Sequence, residues 1–173
     1  CIDTEFMREG TYWPRLCLIQ LADPKGNGFA VDPLISDINL VPFFDLMSNE
    51  KVPKVIHAAR QDIEIFFYLT GTAPRPIFDT QVAAMVCGFG EAASYETLAR
   101  KLANTRIDKS FRFSDWSARP LQTRQLEYAL ADVTHLPKIY DTLQNQLIRT
   151  GRESWVSDEM SALCKTEIYD LDP

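Results

Sequence analysis

The sequence has few of the features that mark a secreted, zinc-stabilised or membrane protein. Its four cysteines are widely scattered and form no CxxC pair, which argues against a disulfide framework and against a structural zinc site. No apolar run is long enough to cross a bilayer, and the first residues lack the basic and then apolar pattern of a signal peptide. The sequence therefore predicts a cytoplasmic protein without a membrane partner.

Internal repeats and low-complexity segments are also missing. Its 173 residues are 46% apolar and 11% aromatic, enough to bury the core of one ordinary domain. The charged fraction of 24% is average for a folded protein and argues against global disorder.

The chain lacks the excess of basic residues that most nucleic-acid-binding proteins have, because its net charge is −6. The acids are unevenly distributed, however. Residues 153–173 hold six acidic residues and one basic residue, which leaves a net charge of only −1 for residues 1–152. Residues 100–124 carry seven basic residues against two acidic ones. Such a run is more often a solvated face than a binding site, so composition permits an RNA substrate without asserting one.

Hydrophobic periodicity predicts strands that come first and then alternate with helices. The predicted strands cover residues 1–7, 15–22, 29–32, 54–56 and 77–78, and the predicted helices cover 40–48, 59–69, 81–87, 94–103 and 121–147. Pro137 should kink or split the last helix. We predict an α/β fold with a mixed central sheet, an antiparallel meander plus parallel strands, and helices on both faces.

The domain is expected to span residues 1–150, with residues 151–173 forming an acidic extension that leads out of it. Because the first strand has almost nothing before its acidic residues, we expect further residues to precede Cys1 in the natural chain.

Three acidic residues, Asp3, Glu5 and Asp62, are candidates for a functional site. Asp3 and Glu5 lie two apart on a strand, so both carboxylates point to one face and repel each other unless a cation neutralises them. Asp62 opens a helix directly after a strand, although an acid there is more often a partner of the helix dipole. Each signal is weak alone, because a DxE triplet is expected about once by chance in such a chain.

Tyr128 and Asp132 lie four residues apart on a predicted helix and therefore share one face. Alone, this pair is more simply the polar edge of an amphipathic helix. The pair becomes informative only when it is considered together with other segments of the sequence.

Segments in chain order resemble the motifs of the ribonuclease D family. They are DTEF at 3–6 with YWPRL at 12–16 and LIQL at 18–21, HAARQD at 57–62, FDTQ at 78–81, DK, SDW and RPL between 108 and 121, and YALAD at 128–132. The resemblance runs from Cys1 to about Leu147. The tyrosine at position 128 is typical of the tyrosine-bearing branch of the DEDD exonucleases.

This resemblance implies a ribonuclease H-like fold in which four acids bind two divalent cations, Mg²⁺ or Mn²⁺. The four metal ligands that it implies are Asp3, Glu5, Asp62 and Asp132, and Tyr128 completes the catalytic set by orienting the nucleophile. The chemistry agrees, because hard oxygen ligands favour these cations over zinc. For the substrate we expect contacts from six residues: Phe6, Trp13, His57, Lys109, Arg112 and Trp116. For each aromatic residue, ordinary packing is an equal alternative.

The implied activity is that of a 3′→5′ exoribonuclease releasing nucleoside 5′-monophosphates from single-stranded RNA 3′ ends, with precursor tRNA as a substrate and tRNA 3′ processing as its role. We expect a monomer, followed in the full-length protein by a helical RNA-binding domain. Three alternatives stay open: a DNA 3′→5′ exonuclease of the proofreading kind, a non-catalytic RNA-binding module, and an α/β interaction domain.

Overall fold

The computed structural model describes residues 1–10, 12–108 and 110–170. Within these ranges the chain forms five strands and seven α-helices. They are β1 (Ile2–Met7), β2 (Arg15–Ala22), β3 (Gly28–Val31), α1 (Val41–Ser48), β4 (Lys54–Ile56), α2 (Arg60–Thr70), β5 (Ile77–Asp79), α3 (Thr80–Val86), α4 (Tyr95–Leu102), α5 (Thr123–Thr134), α6 (Leu136–Thr150) and α7 (Glu153–Leu163), followed by a 3₁₀ turn at Thr166–Ile168.

The strands form an antiparallel meander and a parallel pair, which confirms the predicted α/β class. β2 lies between β1 and β3 and is antiparallel to both, whereas β4 pairs with β5 in parallel. β4 also contacts β1, so the two sheets are neighbours. In the β1–β2 register Asp3 lies opposite Gln20, and Glu5 lies opposite Leu18.

Alternation along β1 sends neighbouring residues to opposite faces of the sheet. Ile2 joins a buried cluster with residues of α1 and α2, such as Phe43 and Phe66, so these helices cover one face. The other face carries Asp3 and Glu5 and is covered by α5, which contacts β1, β2 and β3. Helices thus lie on both faces, as predicted.

The predicted helix 121–147 is divided at His135 into α5 and α6. Pro137 occupies the first turn of α6, where a backbone N–H has no partner within the helix and proline is tolerated. Gly28 allows α5 to lie close to β3, because a Cβ at this position would come within 2.8 Å of Thr134 Cγ2. Gly28 thus permits the close packing of α5 on β3.

A side-chain contact ties the basic segment to the sheet. Arg119 forms a bidentate ion pair with Asp32, with Nε–Oδ2 and NH2–Oδ1 distances of 2.6 and 2.7 Å. The same guanidinium donates to the Cys17 carbonyl at 2.7 Å. One of the basic residues of segment 100–124 is therefore structural and fixes the loop that precedes α5.

Helix α7 lies in the segment predicted to be an extension. Its Val156 and Met160 are buried against the main core, and Cys164 and Tyr169 are buried beyond its end. The sequence prediction missed this helix because only two inward-facing apolar residues, four apart, are spread among acids. Residues 153–170 therefore pack on the domain. In the part of the chain that is described, no helix is both long and apolar enough to cross a membrane.

Candidate active site

Three acidic side chains meet above β1. Asp3 and Glu5 project from the same face of this strand, and α5 crosses that face and brings Asp132 to them. One carboxylate oxygen from each of the three residues lies within 4.8 Å of the others. This spacing suits carboxylates that share a divalent cation.

Asp62 reaches the same region from the other side of β1. It lies in the first turn of α2, is only 5% exposed, and accepts a hydrogen bond from the Thr4 hydroxyl at 2.5 Å. Asp62 is outside the trio that lies within 4.8 Å, but its charge acts on both Asp3 and Glu5. Thr4, on the opposite face of β1 from its two acidic neighbours, therefore orients the fourth acid.

Burial and mutual repulsion change the acidity of these groups. Desolvation raises the pKa of Asp3 well above its usual range, and the charges of Asp62, Asp132 and Glu5 raise it further. Burial, with the charges of Asp132 and Asp62, raises the pKa of Glu5 to about 8, and burial raises the pKa of Asp62 to about 7. Without a cation these carboxyls cannot all be ionised at neutral pH.

Tyr128 lies one helical turn before Asp132 on α5. Its pKa is raised above the ordinary value by burial, by the charges of Asp132 and Glu5, and by a hydrogen bond with Asp132. It is therefore a neutral phenol at physiological pH and acts as a hydrogen-bond donor. Its ring lies 6.0 Å from that of Trp116, which is buried beside it.

The strand-to-helix turn before Asp62 is held by Asp79. The Asp79 carboxylate accepts the backbone N–H groups of Ala58 at 3.0 Å and Ala59 at 2.9 Å, and it also caps α3. Ala58 has a φ of 55°, a left-handed conformation that costs an alanine about 1–2 kcal/mol. Asp79 therefore links the turn before Asp62 to the N-terminus of α3.

The acids open into a cleft of about 1080 Å³. Aromatic and basic side chains form much of its wall, including Phe6, Arg15, His57, Tyr95, Arg112, Phe113, Trp116 and Tyr128. A cleft of this size, with clustered acids and both aromatic and cationic walls, can hold a chain segment with charged groups and planar rings.

A sequence family described as a 3′-5′ exonuclease matches residues 1–148. The chain belongs to this exonuclease family. The ribonuclease D resemblance seen in the motifs is confirmed by relatives such as ribonuclease D of Bartonella henselae, 52% identical over 98% of this chain and 42% of that protein. The chain thus spans less than half the length of that relative.

Solved structures agree with this assignment. The crystal structure of Escherichia coli RNase D, described as an exoribonuclease involved in structured RNA processing, superposes with a TM-score of 0.91 at 33% identity, over 99% of this chain and 45% of that one. Brucella melitensis NrnC with bound Mg²⁺ gives 0.86 at 25% identity, over 98% of this chain and 83% of that one. The fold is therefore ribonuclease H-like, as expected.

The substrate residues predicted for this exonuclease domain are placed unevenly. Phe6, His57 and Arg112 line the cleft, and the Nδ1 atom of His57 lies 3.0 Å from the Thr80 hydroxyl. Burial lowers the pKa of His57, so its ring is neutral at physiological pH.

Of the remaining three predicted substrate residues, the two tryptophans do not present a free ring to the cleft. Trp116 lines the cleft but is only 2% exposed, so it forms a wall and offers no open stacking face. Trp13 is not among the lining residues and stacks on Tyr68, with ring centroids 4.9 Å apart. Lys109 lies outside the described residues.

Two functional features were missed from the sequence. Thr4 could have been found from its position between two acids on a strand, because alternation sends it to the face of α2. Phe113 gives no periodic signal, since it lies in a loop, yet its ring is 95% exposed at the rim of the cleft beside the Arg112 guanidinium. A solvent-exposed phenylalanine at the rim of such a cleft is a candidate ligand contact.

Proposed function

We propose that this domain is a 3′→5′ exoribonuclease that hydrolyses single-stranded RNA 3′ ends to nucleoside 5′-monophosphates. The observation that carries the proposal is the convergence of Asp3, Glu5 and Asp132 within 4.8 Å, with Asp62 and Tyr128 beside them, in a chain of the 3′-5′ exonuclease family. The relatives named ribonuclease D support RNA as the substrate class.

The donor set fits divalent cations such as Mg²⁺ or Mn²⁺. Asp3, Glu5 and Asp132 would bind directly, with Asp62 as the fourth ligand, because clustered buried carboxylates supply hard oxygen donors and need compensating charge. Two bound cations supply the positive charge that favours ionisation of the attacking water and stabilises the leaving 3′-oxygen. The Mg²⁺ in the related NrnC structure supports this choice of metal.

Tyr128 would orient the attacking water through its hydroxyl. Its raised pKa makes it unsuitable as a general base at neutral pH, whereas the neutral hydroxyl can donate and accept hydrogen bonds beside Asp132. His57 is neutral as well and lines the cleft, so it would contact the scissile phosphate or its sugar by a hydrogen bond and not by charge.

The RNA strand would enter past the loop that carries Phe113. Its exposed ring would stack on an unpaired base, a contact that contributes about 1–3 kcal/mol in other single-strand binders. Arg112 beside it would contact a phosphate, and Phe6, which also lines the cleft, would pack against the terminal nucleoside. Both aromatic contacts favour a single strand, because stacking on a side chain requires a base that is not paired.

For the whole protein, we propose that a further RNA-binding region cooperates with this domain, since the chain spans 42% of a ribonuclease D relative. Precursor tRNAs and other structured RNAs with single-stranded 3′ ends are the proposed substrates, in line with the structured RNA processing described for the Escherichia coli enzyme. The domain itself is proposed to act as a monomer.

The decisive assay uses 5′-labelled single-stranded RNA with Mg²⁺, Mn²⁺ or EDTA. A ladder that shortens by one nucleotide from the 3′ end, with 5′-monophosphate products and no reaction in EDTA, is expected. A DNA strand of the same sequence tests the sugar preference, and a 3′-terminal duplex should resist. Internal cuts in a circular RNA would contradict an exonuclease, and faster digestion of DNA would contradict the choice of RNA.

A further inference from the structure

Gln20 is a buried polar residue on β2, the central strand of the antiparallel sheet. Its side chain is fully buried, and neither the amide nitrogen nor the amide oxygen has a hydrogen-bond partner among the described residues. Buried amides are nearly always hydrogen-bonded, because an unsatisfied one lowers the stability of the fold. A buried amide of this kind therefore indicates a hydrogen-bond partner in its immediate surroundings.

The position of Gln20 points to that partner. It lies on β2 directly opposite Asp3 of β1, and residues paired in this way project from the same face with Cβ atoms about 4.5–5.5 Å apart. That face is covered by α5, the helix that carries Asp132, and its Ala129 and Val133 are fully buried. The amide is thus enclosed between sheet and helix, within reach of the acidic cluster.

Packing alone does not explain an amide at this position. Leu18 and Ala22, two residues before and after it on the same face of β2, are buried and apolar. A leucine or methionine would fill the same space without an unsatisfied group. A neutral donor beside carboxylates has a distinct use, because it can hold them in one orientation without competing with a cation for their charge.

We propose that Gln20 is a positioning residue for the metal site: when a divalent cation is bound, its side-chain amide donates a hydrogen bond to the Asp3 carboxylate and fixes the orientation in which Asp3 binds that cation. The inference rests on the proposed function, since it assumes that Asp3 is a metal ligand. It follows the general rule that ligating carboxylates are themselves hydrogen-bonded, and that losing such a partner weakens metal affinity about 10–100-fold.

The test compares Gln20→Met with Leu18→Met. The first removes the amide and keeps the chain length, and the second changes packing on the same strand face, opposite Glu5. Mn²⁺ binding is measured by titration calorimetry, and melting temperature is measured without metal. Gln20→Met should melt at or above the wild-type temperature, because the unsatisfied amide is gone, yet bind Mn²⁺ at least about tenfold more weakly. Leu18→Met should keep wild-type Mn²⁺ affinity.

Wild-type Mn²⁺ affinity in Gln20→Met would overturn the inference and leave Gln20 as a packing residue. If Gln20→Met does not fold, nuclear magnetic resonance of the wild type decides. The Gln20 side-chain NH₂ protons should shift downfield and exchange more slowly when Mg²⁺ is added, and unchanged resonances would refute the hydrogen bond. Absence of any Mn²⁺ binding to the wild type would instead refute the proposed function, which separates the two failures.

Discussion

Asp79 offers a quantitative test of how the fold supports the active site. Its carboxylate is 3% exposed and accepts four backbone N–H groups, from Ala58, Ala59, Gln81 and Val82, at 2.8 to 3.4 Å. Asp79→Asn keeps the shape but replaces one oxygen by an NH₂ group. At least one buried N–H then loses its acceptor, and the other bonds are no longer charge-assisted.

The expected loss follows from typical hydrogen-bond energies. An orphaned buried N–H costs about 1–3 kcal/mol, and each charge-assisted bond that becomes neutral loses about 1 kcal/mol. Asp79→Asn should therefore lower the free energy of unfolding by about 4–6 kcal/mol, a large part of the total of a typical domain. Urea unfolding of the metal-free protein at pH 7 measures this quantity directly.

Asp23 supplies the matched control. Its carboxylate also accepts backbone N–H groups, from Lys25 and Asn27, but in a solvent-exposed turn where water can replace the lost bonds. Asp23→Asn should cost much less than Asp79→Asn. Equal losses in the two variants, or a loss under about 1 kcal/mol in Asp79→Asn, would refute the view that Asp79 holds the turn before Asp62.

Three further outcomes are expected. The pKa of Glu5 is raised to about 8 and that of Asp62 to about 7, so the folded protein without metal holds protons that the unfolded chain has released. Its melting temperature should therefore fall as pH rises from 5 to 8, while the increase in melting temperature caused by Mg²⁺ should grow. A Mg²⁺ effect that shrinks over this pH range would contradict the prediction. Tyr128→Phe should slow single-turnover RNA cleavage by about 10²–10⁴-fold, with unchanged melting temperature and Mn²⁺ affinity. Asp132→Asn should instead lose both activity and Mn²⁺ affinity. Full activity in Tyr128→Phe would show that Tyr128 is a packing residue. Phe113→Ala should weaken single-stranded RNA binding, measured by fluorescence anisotropy, by about 1–3 kcal/mol without changing the melting temperature, and Phe29→Ala, another exposed phenylalanine, should leave binding unchanged.

Periodicity predicts most of the fold because the main elements have strong local signals. The strand over 15–22 and the strand over 54–56 agree with the structure to the residue, and the split at His135 follows from the fixed geometry of Pro137. Helix α7 was missed because its burial depends on tertiary contacts of Val156 and Met160, which a weak local pattern does not reveal.

The candidate site, like the fold, could be predicted from the sequence only in part. Asp3 and Glu5 can be paired from strand alternation, and Tyr128 and Asp132 from helical spacing, but their meeting depends on how α5 crosses the sheet. The family resemblance supplied that link. The exposed ring of Phe113 lies in a loop and carries little signal in the chain order. Strand alternation gives the face on which Thr4 lies, but its hydrogen bond to Asp62 depends on three-dimensional placement.

The central claim is that these acids form a divalent-cation site. Calorimetric titration of Mn²⁺ into the wild-type protein and into Asp3→Asn tests it most directly, with the melting temperature of each variant as the check on folding. We predict saturable binding to the wild type and a large loss of affinity in Asp3→Asn, because the substitution removes one of the three carboxylates that lie within 4.8 Å of one another. Absence of binding to the wild type, or equal binding to a folded Asp3→Asn, would contradict the claim.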